Sequence, residues 1–300
     1  MKTLTSLKER VKQERKQIVA VADATDKEIL QAVKMAIDEK LCSFVLYGDE
    51  ATITSLAEEV KLDLSLPQVT SHHVKQDAAK VAVQAVHNQE ADILMKGNIP
   101  TKDLLKAVLH NDYGLRTGKV LSHVSLFEIP NREGLVFLTD AAMNIAPTLQ
   151  EKAEIIQNAV QVAHGVGLAE PKIAALAPVE VINPSMSSTM DAAVLTQMQK
   201  RGQIKGCLVD GPLAFDNAVS SHAAKHKNIR SEVAGDADIL MVPTIEAGNA
   251  LYKSFIYFAG AEVAAIISGA KAPIILTSRA DSAESKLSSL SLALVSSKTF

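Results

Sequence analysis

A chain of 300 residues, of which 47% are hydrophobic, is long enough to bury one large core or two cores of ordinary domain size. Its 31 basic and 34 acidic residues give a net charge of -3 with no long run of either sign, which argues against a nucleic-acid binder or a polybasic membrane anchor and favours small ligands. The two cysteines, Cys42 and Cys207, lie in apolar stretches outside any CxxC pair or Cys/His cluster, which is typical of a reduced chain without a bound metal.

The beginning of the sequence predicts no export signal. MKTLTSLKERVKQERKQ is charged and lacks the apolar segment of a signal peptide. The most hydrophobic run, residues 255–270, is interrupted by Glu262 and is short for a bilayer span. We therefore expect a cytoplasmic protein.

Short apolar runs rich in Val and Ile alternate with longer amphipathic stretches along the chain. The predicted strands are QIVAVA, SFVLYG, ADILMKG, GLVFLTD, KIAALAP, GCLVDG, ADILMVP and APIILTS. The predicted helices are 26–40, 102–110, 149–164, 191–201 and 281–295, several of which open on a capping Asp or Thr. This alternation predicts an α/β fold in which helices cover a parallel sheet.

Most of these strands stop at a small or turn-forming residue that is followed by a polar one. Ligands of open α/β sheets bind outside the carboxyl ends of the strands, so the loops that follow are the candidate sites. They are Lys96-Gly97-Asn98, Asp140, Asp210-Gly211-Pro212, Pro243-Thr244 and Thr277-Ser278-Arg279. Asp140 and Asp210-Gly211-Pro212 also fit simple strand-ending turns.

Several familiar signatures are missing from the sequence. It contains no P-loop, no GxGxxG after a strand and no GxSxG elbow, and its eight histidines show no metal-ligand or triad spacing. The sequence therefore supports neither an ATP-type nor a dinucleotide-type phosphate site.

The segment IILTSRADSAE, residues 274–284, leads from a predicted strand into hydroxyls, a guanidinium and the first turn of a helix. Backbone N–H groups at a helix start, the helix dipole and a bidentate Arg279 together favour phosphate. The hydroxyls of Thr277 and Ser278 would add donors. A capped helix with a surface arginine fits the same pattern.

Two further segments have the polar composition of a ligand contact. In KGNIPT, Gly97 lets the backbone approach a ligand, and Lys96 and Thr101 offer a cation and a donor near a helix start. A turn with an N-capping Thr101 explains it equally well. In EAGNALYK, Asn249 and Lys253 lie four residues apart on one helix face, which would let both reach one ligand, although a surface-exposed pair is more usual.

Together these segments resemble, in the same order, the phosphate acetyl/butyryltransferase family. The likeness spans most of the chain, and KGNIPT, LAPVEVINPSM and SRADSAE are more similar to the phosphate butyryltransferase branch than to the acetyltransferases. Its matching segments are KGNIPTKDLL, GLVFLTDAAMNIAPTLQEKAEI, DGPLAFDNAV, GDADILMVPTIEAGNALYKS and TSRADSAESKL.

The resemblance implies a fold like that of the isocitrate and isopropylmalate dehydrogenases. That fold has two α/β lobes with mainly parallel sheets and an active site in the cleft between them, and it implies a homodimer or a higher homo-oligomer. The family likeness sets a discontinuous first lobe at 1–128 plus 266–300 and an inserted second lobe at 129–265.

The activity that the resemblance implies is the exchange of phosphate and coenzyme A on a short acyl group, such as butyryl or a branched equivalent. A base takes the thiol proton, the thiolate attacks the acyl carbon of the acyl phosphate, and phosphate leaves by direct transfer. This chemistry demands no metal or redox cofactor, and an acyl (butyrate) kinase is the implied pathway partner. Phosphate acetyltransferase, an oxidoreductase of the dehydrogenase fold and a non-catalytic binder of CoA or acyl phosphate are the alternatives.

The family motif also implies roles for the residues around 278. Ser278 and Arg279 match its Ser-Arg pair, which places Arg279 on phosphate and Ser278 on the transition-state oxygen. The acetyltransferases have a Gly after the Arg and, seven residues beyond the Ser, an Asp that is considered the thiol base; here these positions are Ala280 and Ser285.

Two nearby carboxylates, Asp281 and Glu284, are the substitutes for that base, and Glu284 is favoured. Alternatively, Asp281 is a charge at the helix N-terminus that interacts with the helix dipole, and Glu284 is a solvated carboxylate of the first turn. The substrate-binding residues expected from the matching segments are Lys96, Gly97, Asn98, Thr101, Asp210, Gly248, Asn249, Lys253 and Thr277.

Overall fold

The computed structural model describes residues 3–13, 15–276 and 282–300. Its strands are β1 (Ile18–Ala22), β2 (Ser43–Gly48), β3 (Val69–His73), β4 (Ile93–Lys96), β5 (Ser122–Glu128), β6 (Leu135–Thr139), β7 (Lys172–Leu176), β8 (Leu208–Leu213), β9 (Ile239–Met241), β10 (Glu262–Ser268) and β11 (Ile274–Ile275). Its α-helices are α1 (Thr5–Val11), α2 (Lys27–Asp38), α3 (Glu50–Val60), α4 (Ala78–His87), α5 (Thr101–Val108), α6 (Leu149–Gly165), α7 (Ser187–Lys200), α8 (Phe215–Val219), α9 (Ser221–His226), α10 (Ile245–Tyr257) and α11 (Ala283–Ser296).

The chain divides into two compact units. The discontinuous unit consists of Leu4–Lys119 and Ala264–Lys298, with Phe300. The inserted unit consists of Val120–Val263, with Thr3 and Thr299. The lobe limits that the family resemblance suggests stay a prediction.

The sheet of the discontinuous unit has the strand order β3-β2-β1-β4-β11-β10. All neighbouring strands in it are parallel except β10 and β11. Ala22 of β1 pairs with Lys96 of β4, and Ile275 of β11 pairs with Met95 of the same strand. The carboxyl ends of β1, β4 and β11 therefore lie side by side at one edge of this sheet.

Helices cover this sheet because its strands are apolar along their length. Val19–Ala22 of β1 are fully buried, as expected for a strand covered on both faces. Helix α2 begins where the sequence predicts, since the Asp26 side chain accepts a hydrogen bond from the backbone of Ile29 at 3.0 Å. The C-terminal helix α11 packs against α1, α2 and β11.

The sheet of the inserted unit has the strand order β5-β6-β9-β7-β8, and only β5 and β6 are antiparallel neighbours within it. Its core includes Phe127 and Phe255, whose rings meet edge to face at 5.1 Å. Helix α6 begins at a capping box in which Thr148 and Glu151 exchange hydrogen bonds. The carboxyl ends of β6, β9, β7 and β8 share one edge.

The predicted α/β class with mainly parallel sheets is confirmed, although some elements differ from the prediction. The prediction missed β3, β5 and β10; β3 carries the polar sequence VTSHH, and four of its five residues are exposed. Helix α7 begins at Ser187, four residues before the predicted start. The prediction placed the start too late because the first turn is Ser- and Thr-rich and lacks an apolar period. The interpretation of Asp210-Gly211-Pro212 as a strand-ending turn is wrong, since β8 continues to Leu213 through a register shift against β7.

The hydrophobic run at 255–270 forms the end of α10 and all of β10. None of the helices in the described ranges is long and apolar enough to cross a membrane.

Candidate active site

The loop after β4 is tied to the end of β1 by backbone hydrogen bonds. The N–H of Gly97 donates to the Ala22 carbonyl at 2.9 Å, and the N–H of Asn98 donates to the Asp23 carbonyl at 2.7 Å. Lys96 is buried, and its ammonium donates to the Gly97 carbonyl at 3.1 Å. A buried cation therefore lies at the carboxyl end of β4.

Side chains continue this network across the strand ends. The Asn98 amide donates to Thr25 Oγ1 at 3.3 Å, and that hydroxyl donates to Asp23 Oδ1 at 2.7 Å. Asp23 itself has a left-handed backbone, with φ of 64°. Sequence reasoning missed Asp23 and Thr25, although the change from IVAVA to polar residues after β1 was the signal that could have found them.

Thr101 is the first residue of α5 and is exposed. The N-cap of α5 is Pro100, which makes no side-chain capping bond, so the interpretation of Thr101 as the N-cap is wrong. Its hydroxyl instead lies in the first turn of the helix that follows the Lys96-Gly97-Asn98 loop, where helix starts favour anions.

The segment after β11 starts beside this loop because β11 and β4 are parallel neighbours. Its predicted site residues Thr277, Ser278, Arg279 and Asp281 lie outside the described residues. Glu284 is exposed in the first turn of α11, whose N-cap is Ser282. The Ser282 hydroxyl accepts from the backbone N–H of Ser285 at 3.2 Å, so the residue at the family's base position takes part in a helix cap.

In the inserted unit, Asp140 follows β6 and is buried. Its Oδ1 accepts from the N–H groups of Ala142 and Met143 at 2.9 and 3.0 Å, and its Oδ2 accepts from the backbone and side chain of Asn144 at 3.2 and 2.6 Å. Four donors therefore surround this carboxylate. Asp140 therefore forms a strand-ending turn, and its candidacy as a ligand contact stays a prediction.

Helix α10 packs closely on that turn. A β-carbon on Gly248 would lie 2.6 Å from the Asp140 carbonyl oxygen, so only glycine allows this approach. The Asn249 amide donates to the Ala141 carbonyl at 3.4 Å, while Lys253, one turn later, is exposed. Both side chains project from α10, as the spacing predicts, and Asn249 also helps to hold the helix on the turn.

Asp210, which is half-buried within β8, accepts a hydrogen bond from the N–H of Gly211 at 2.9 Å. Thus Lys96, Gly97, Asn98, Thr101 and Glu284 belong to the discontinuous unit, whereas Asp210, Gly248, Asn249 and Lys253 belong to the inserted unit.

The inserted unit also contains an apolar pocket of about 400 Å³. It lies at the carboxyl ends of β7 and β9, beside α10, and nine of its ten lining residues are apolar. Leu176, Phe215 and Val242 form part of its wall, and Ala247 and Ala250 contribute the face of α10.

A partly buried ion pair joins α6 to α7 next to the same strand ends. Lys152 Nζ lies 2.6 Å from Asp191 Oδ2, and only 8% of the lysine side chain is exposed. The two residues border a small space shared with Leu176, Val242 and Pro243. Sequence reasoning missed this pair, since the two residues lie on different helices and only Lys152 falls within a segment that resembles the family.

Both cysteines are buried core residues, as expected. Burial, with a smaller contribution from Glu170, raises the pKa of the Cys207 thiol to about 12. Burial raises the pKa of Cys42 still further. Neither thiol is available as a nucleophile near neutral pH. Among the described residues, no group of His, Cys, Asp and Glu side chains is placed to hold a metal ion.

The chain is similar to known proteins over most of its length. A family model described as "Phosphate acetyl/butaryl transferase" matches residues 2–77 and 65–294. The "Probable phosphate butyryltransferase" of Bacillus subtilis is 56% identical over 282 residues, which cover 94% of each chain. The phosphate acetyltransferase of Thermotoga maritima is 48% identical over 277 residues, which cover 92% of this chain and 94% of that protein.

Two solved structures are similar to this chain. A branched-chain phosphotransacylase from Enterococcus faecalis has a TM-score of 0.81 and 38% identity, covering 94% of this chain and 99% of that one. A 4-hydroxythreonine-4-phosphate dehydrogenase from Klebsiella pneumoniae has a TM-score of 0.56 at 10% identity, covering 94% of this chain and 100% of that one, and this likeness concerns the fold alone. The near full-length matches establish that this chain belongs to the phosphate acetyl/butyryl transferase family of acyltransferases.

Proposed function

We propose that this protein interconverts a short-chain acyl-CoA plus phosphate with an acyl phosphate plus CoA, with butyryl-CoA or its branched equivalent as the preferred substrate. One observation of the fold carries the proposal. The strand β11 pairs in parallel with β4, so that Ile275 at the end of β11 lies beside Met95, the residue before the Lys96-Gly97-Asn98 loop. The high identity to a protein named as a butyryltransferase supports the choice of acyl group.

The loop after β4 supplies part of an anion site in this scheme. The buried Lys96 provides positive charge, and the hydrogen bonds from Asn98 through Thr25 to Asp23 fix the loop before substrate arrives. Such preorganised charge is most effective where water is excluded. Arg279 binds the phosphate group, and Ser278 donates to the acyl oxygen as negative charge develops there.

The reaction runs in one step on the acyl carbon. In the direction that consumes acyl phosphate, a carboxylate takes the CoA thiol proton, the sulfur bonds to the acyl carbon, and the carbon–oxygen bond to phosphate breaks. Glu284 is the proposed base. Its exposed position in the first turn of α11 leaves its carboxylate accessible to a thiol, whereas Ser285 has no carboxylate to offer.

The transfer changes no oxidation state, so it requires no redox cofactor. We propose that it requires no metal either. We also propose a homodimer or higher homo-oligomer in the cytoplasm, with an acyl kinase to use the acyl phosphate. These last proposals rest on the resemblance to the family.

The test is phosphate-dependent release of CoA thiol, measured with acetyl-, butyryl-, isobutyryl- and isovaleryl-CoA. The proposal expects the four-carbon substrates to give the highest kcat/KM. A preference for acetyl-CoA would make the protein a phosphate acetyltransferase. No phosphate-dependent release from any substrate would contradict an acyltransfer function and favour a non-catalytic binder.

A further inference from the structure

The apolar pocket of the inserted unit lies where α/β sheets place their ligands. Leu176, Ala177 and Pro178 line it from the end of β7, and Val242 and Pro243 line it from the end of β9. Substrates of open α/β sheets bind outside such carboxyl ends. Its volume of about 400 Å³ is within the usual range for small-molecule sites.

The lining of this pocket suits a hydrocarbon and no polar ligand. Ser254 is its one polar lining residue, and the Ser254 hydroxyl already donates to the Ala250 carbonyl at 2.8 Å. A phosphate, an adenine edge or an amide of the pantetheine arm would lose its hydrogen bonds to water there without replacement. In the proposed substrates, the acyl chain is the part that lacks polar groups.

We propose that this pocket binds the hydrocarbon chain of the acyl group, and that Ala247, Ala250 and Phe215 set the length of chain it accepts. The inference rests on the proposed acyltransferase function and names its specificity site.

Two alanines give the α10 side of the pocket its depth. Ala247 and Ala250 are three residues apart, so their side chains share one face of the helix, and both are exposed. A larger side chain at either position would extend into the open pocket and leave the core undisturbed. A leucine there would occupy the space that a chain longer than acetyl requires.

Phe215 contributes an aromatic ring to the wall of the pocket. It is the first residue of α8, 42% of its surface is exposed, and its ring centroid lies 6.1 Å from that of Phe255. Phe255 is a buried residue of the core, so it holds the Phe215 ring in place. Removal of this ring would lengthen the pocket.

The experiment compares kcat/KM for acetyl-, butyryl- and hexanoyl-CoA in the wild-type protein and in three variants. Ala250→Leu should lower the butyryl-to-acetyl ratio at least about tenfold, since one methylene in such a pocket is worth about 10- to 200-fold. Phe215→Ala should raise the hexanoyl-to-butyryl ratio by about tenfold or more on the same basis. Ala51→Leu, on an exposed position of α3, is the matched control and should leave both ratios unchanged.

Thermal unfolding checks that each variant is folded. If Ala250→Leu does not fold, Ala247→Leu is used in its place to narrow the pocket. Unchanged ratios in folded, active variants would overturn the acyl-chain assignment while leaving the acyltransferase function intact. An equal rise in KM for every acyl-CoA would also overturn it, because it would point to the pantetheine arm. A wild-type protein without phosphate-dependent turnover would instead reject the proposed function, and the acyl-chain assignment with it.

Discussion

Gly97 lies so close to Asp23 that a β-carbon on residue 97 would be 1.8 Å from the Asp23 carbonyl oxygen. This contact joins the loop after β4 to the end of β1, where the same carbonyl accepts the N–H of Asn98. The position of the Lys96-Gly97-Asn98 loop therefore depends on the absence of a β-carbon at residue 97.

Gly97→Ala should displace this loop, because backbone atoms on both sides of the contact have to move. We expect a loss of more than about 2 kcal/mol in the free energy of unfolding. A shift of about 1 Å in a positioning loop costs about 100-fold in rate, and we expect a fall of that order in kcat/KM. Urea unfolding and the CoA-release assay measure the two effects.

Gly134→Ala is the control for this substitution. Gly134 has φ of 77°, but a β-carbon there meets nothing within 4 Å. Backbone strain alone should cost about 1–2 kcal/mol and leave the activity unchanged. An active Gly97→Ala enzyme of normal stability would show that the close contact is not needed.

The ion pair of Lys152 and Asp191 should stabilise the inserted unit more than an exposed pair of the same length. Asp191→Ala leaves a buried ammonium without its carboxylate, a change that costs about 3–5 kcal/mol in a fully buried site. Because 29% of the Asp191 side chain is exposed, we expect about 2 kcal/mol, measured by urea unfolding.

Lys172 and Asp236 form the matched pair, also 2.6 Å apart but with 77% of the aspartate side chain exposed. Their coupling free energy should be below about 1 kcal/mol in a double-mutant cycle. If double-mutant cycles gave the same coupling free energy for both pairs, burial would not explain the stability of the Lys152–Asp191 pair.

Arg279 should contribute to catalysis by binding the phosphate group of the substrate. Arg279→Ala is expected to reduce kcat/KM for acyl phosphate by about 100- to 1,000-fold, because a charge-assisted donor at the reacting group is lost. Arg279→Lys should recover only part of this, since lysine cannot bind phosphate through two N–H groups. Arg201→Ala, an exposed arginine at the end of α7, is the control. Near-normal kinetics for both Arg279 variants would exclude the phosphate role.

Glu284 should act as the thiol base. In the direction that consumes acyl phosphate, Glu284→Gln should lower kcat by about 100-fold or more, because no carboxylate then takes the thiol proton. Asp281→Asn should leave kcat unchanged.

Glu50→Gln serves as control, because Glu50 is also an exposed glutamate in the first turn of a helix, α3. If Asp281→Asn alone lowers kcat to this extent, the base is Asp281. If neither substitution lowers turnover, both carboxylates are bystanders.

Local sequence signals predicted the parts of this structure that depend on local interactions. The strand SFVLYG matches β2 residue for residue, and the caps of α2 and α6 are local hydrogen bonds that the sequence reveals. The Lys96-Gly97-Asn98 loop does follow a strand, β4, as the sequence predicts, while its role as a ligand site stays a prediction. The roles of Ser278 and Arg279 come from the family motif and stay predictions.

Features that depend on strand order and helix packing were not predictable in this way. The contact of Gly97 with Asp23 exists because β1 and β4 are neighbours, although two strands intervene along the chain. The partner of Lys152 lies 39 residues away on another helix. Likewise, the apolar pocket combines residues from the ends of β7 and β9 with α10, and no single segment of the sequence reveals it.

The most direct test of the acyltransferase function is to measure both products of one reaction, CoA thiol and butyryl phosphate, from butyryl-CoA and phosphate. The account predicts that the two appear in equal amounts and that neither appears when phosphate is left out. Release of CoA without butyryl phosphate, at a rate independent of phosphate, would mean that water is the acceptor and would contradict the account.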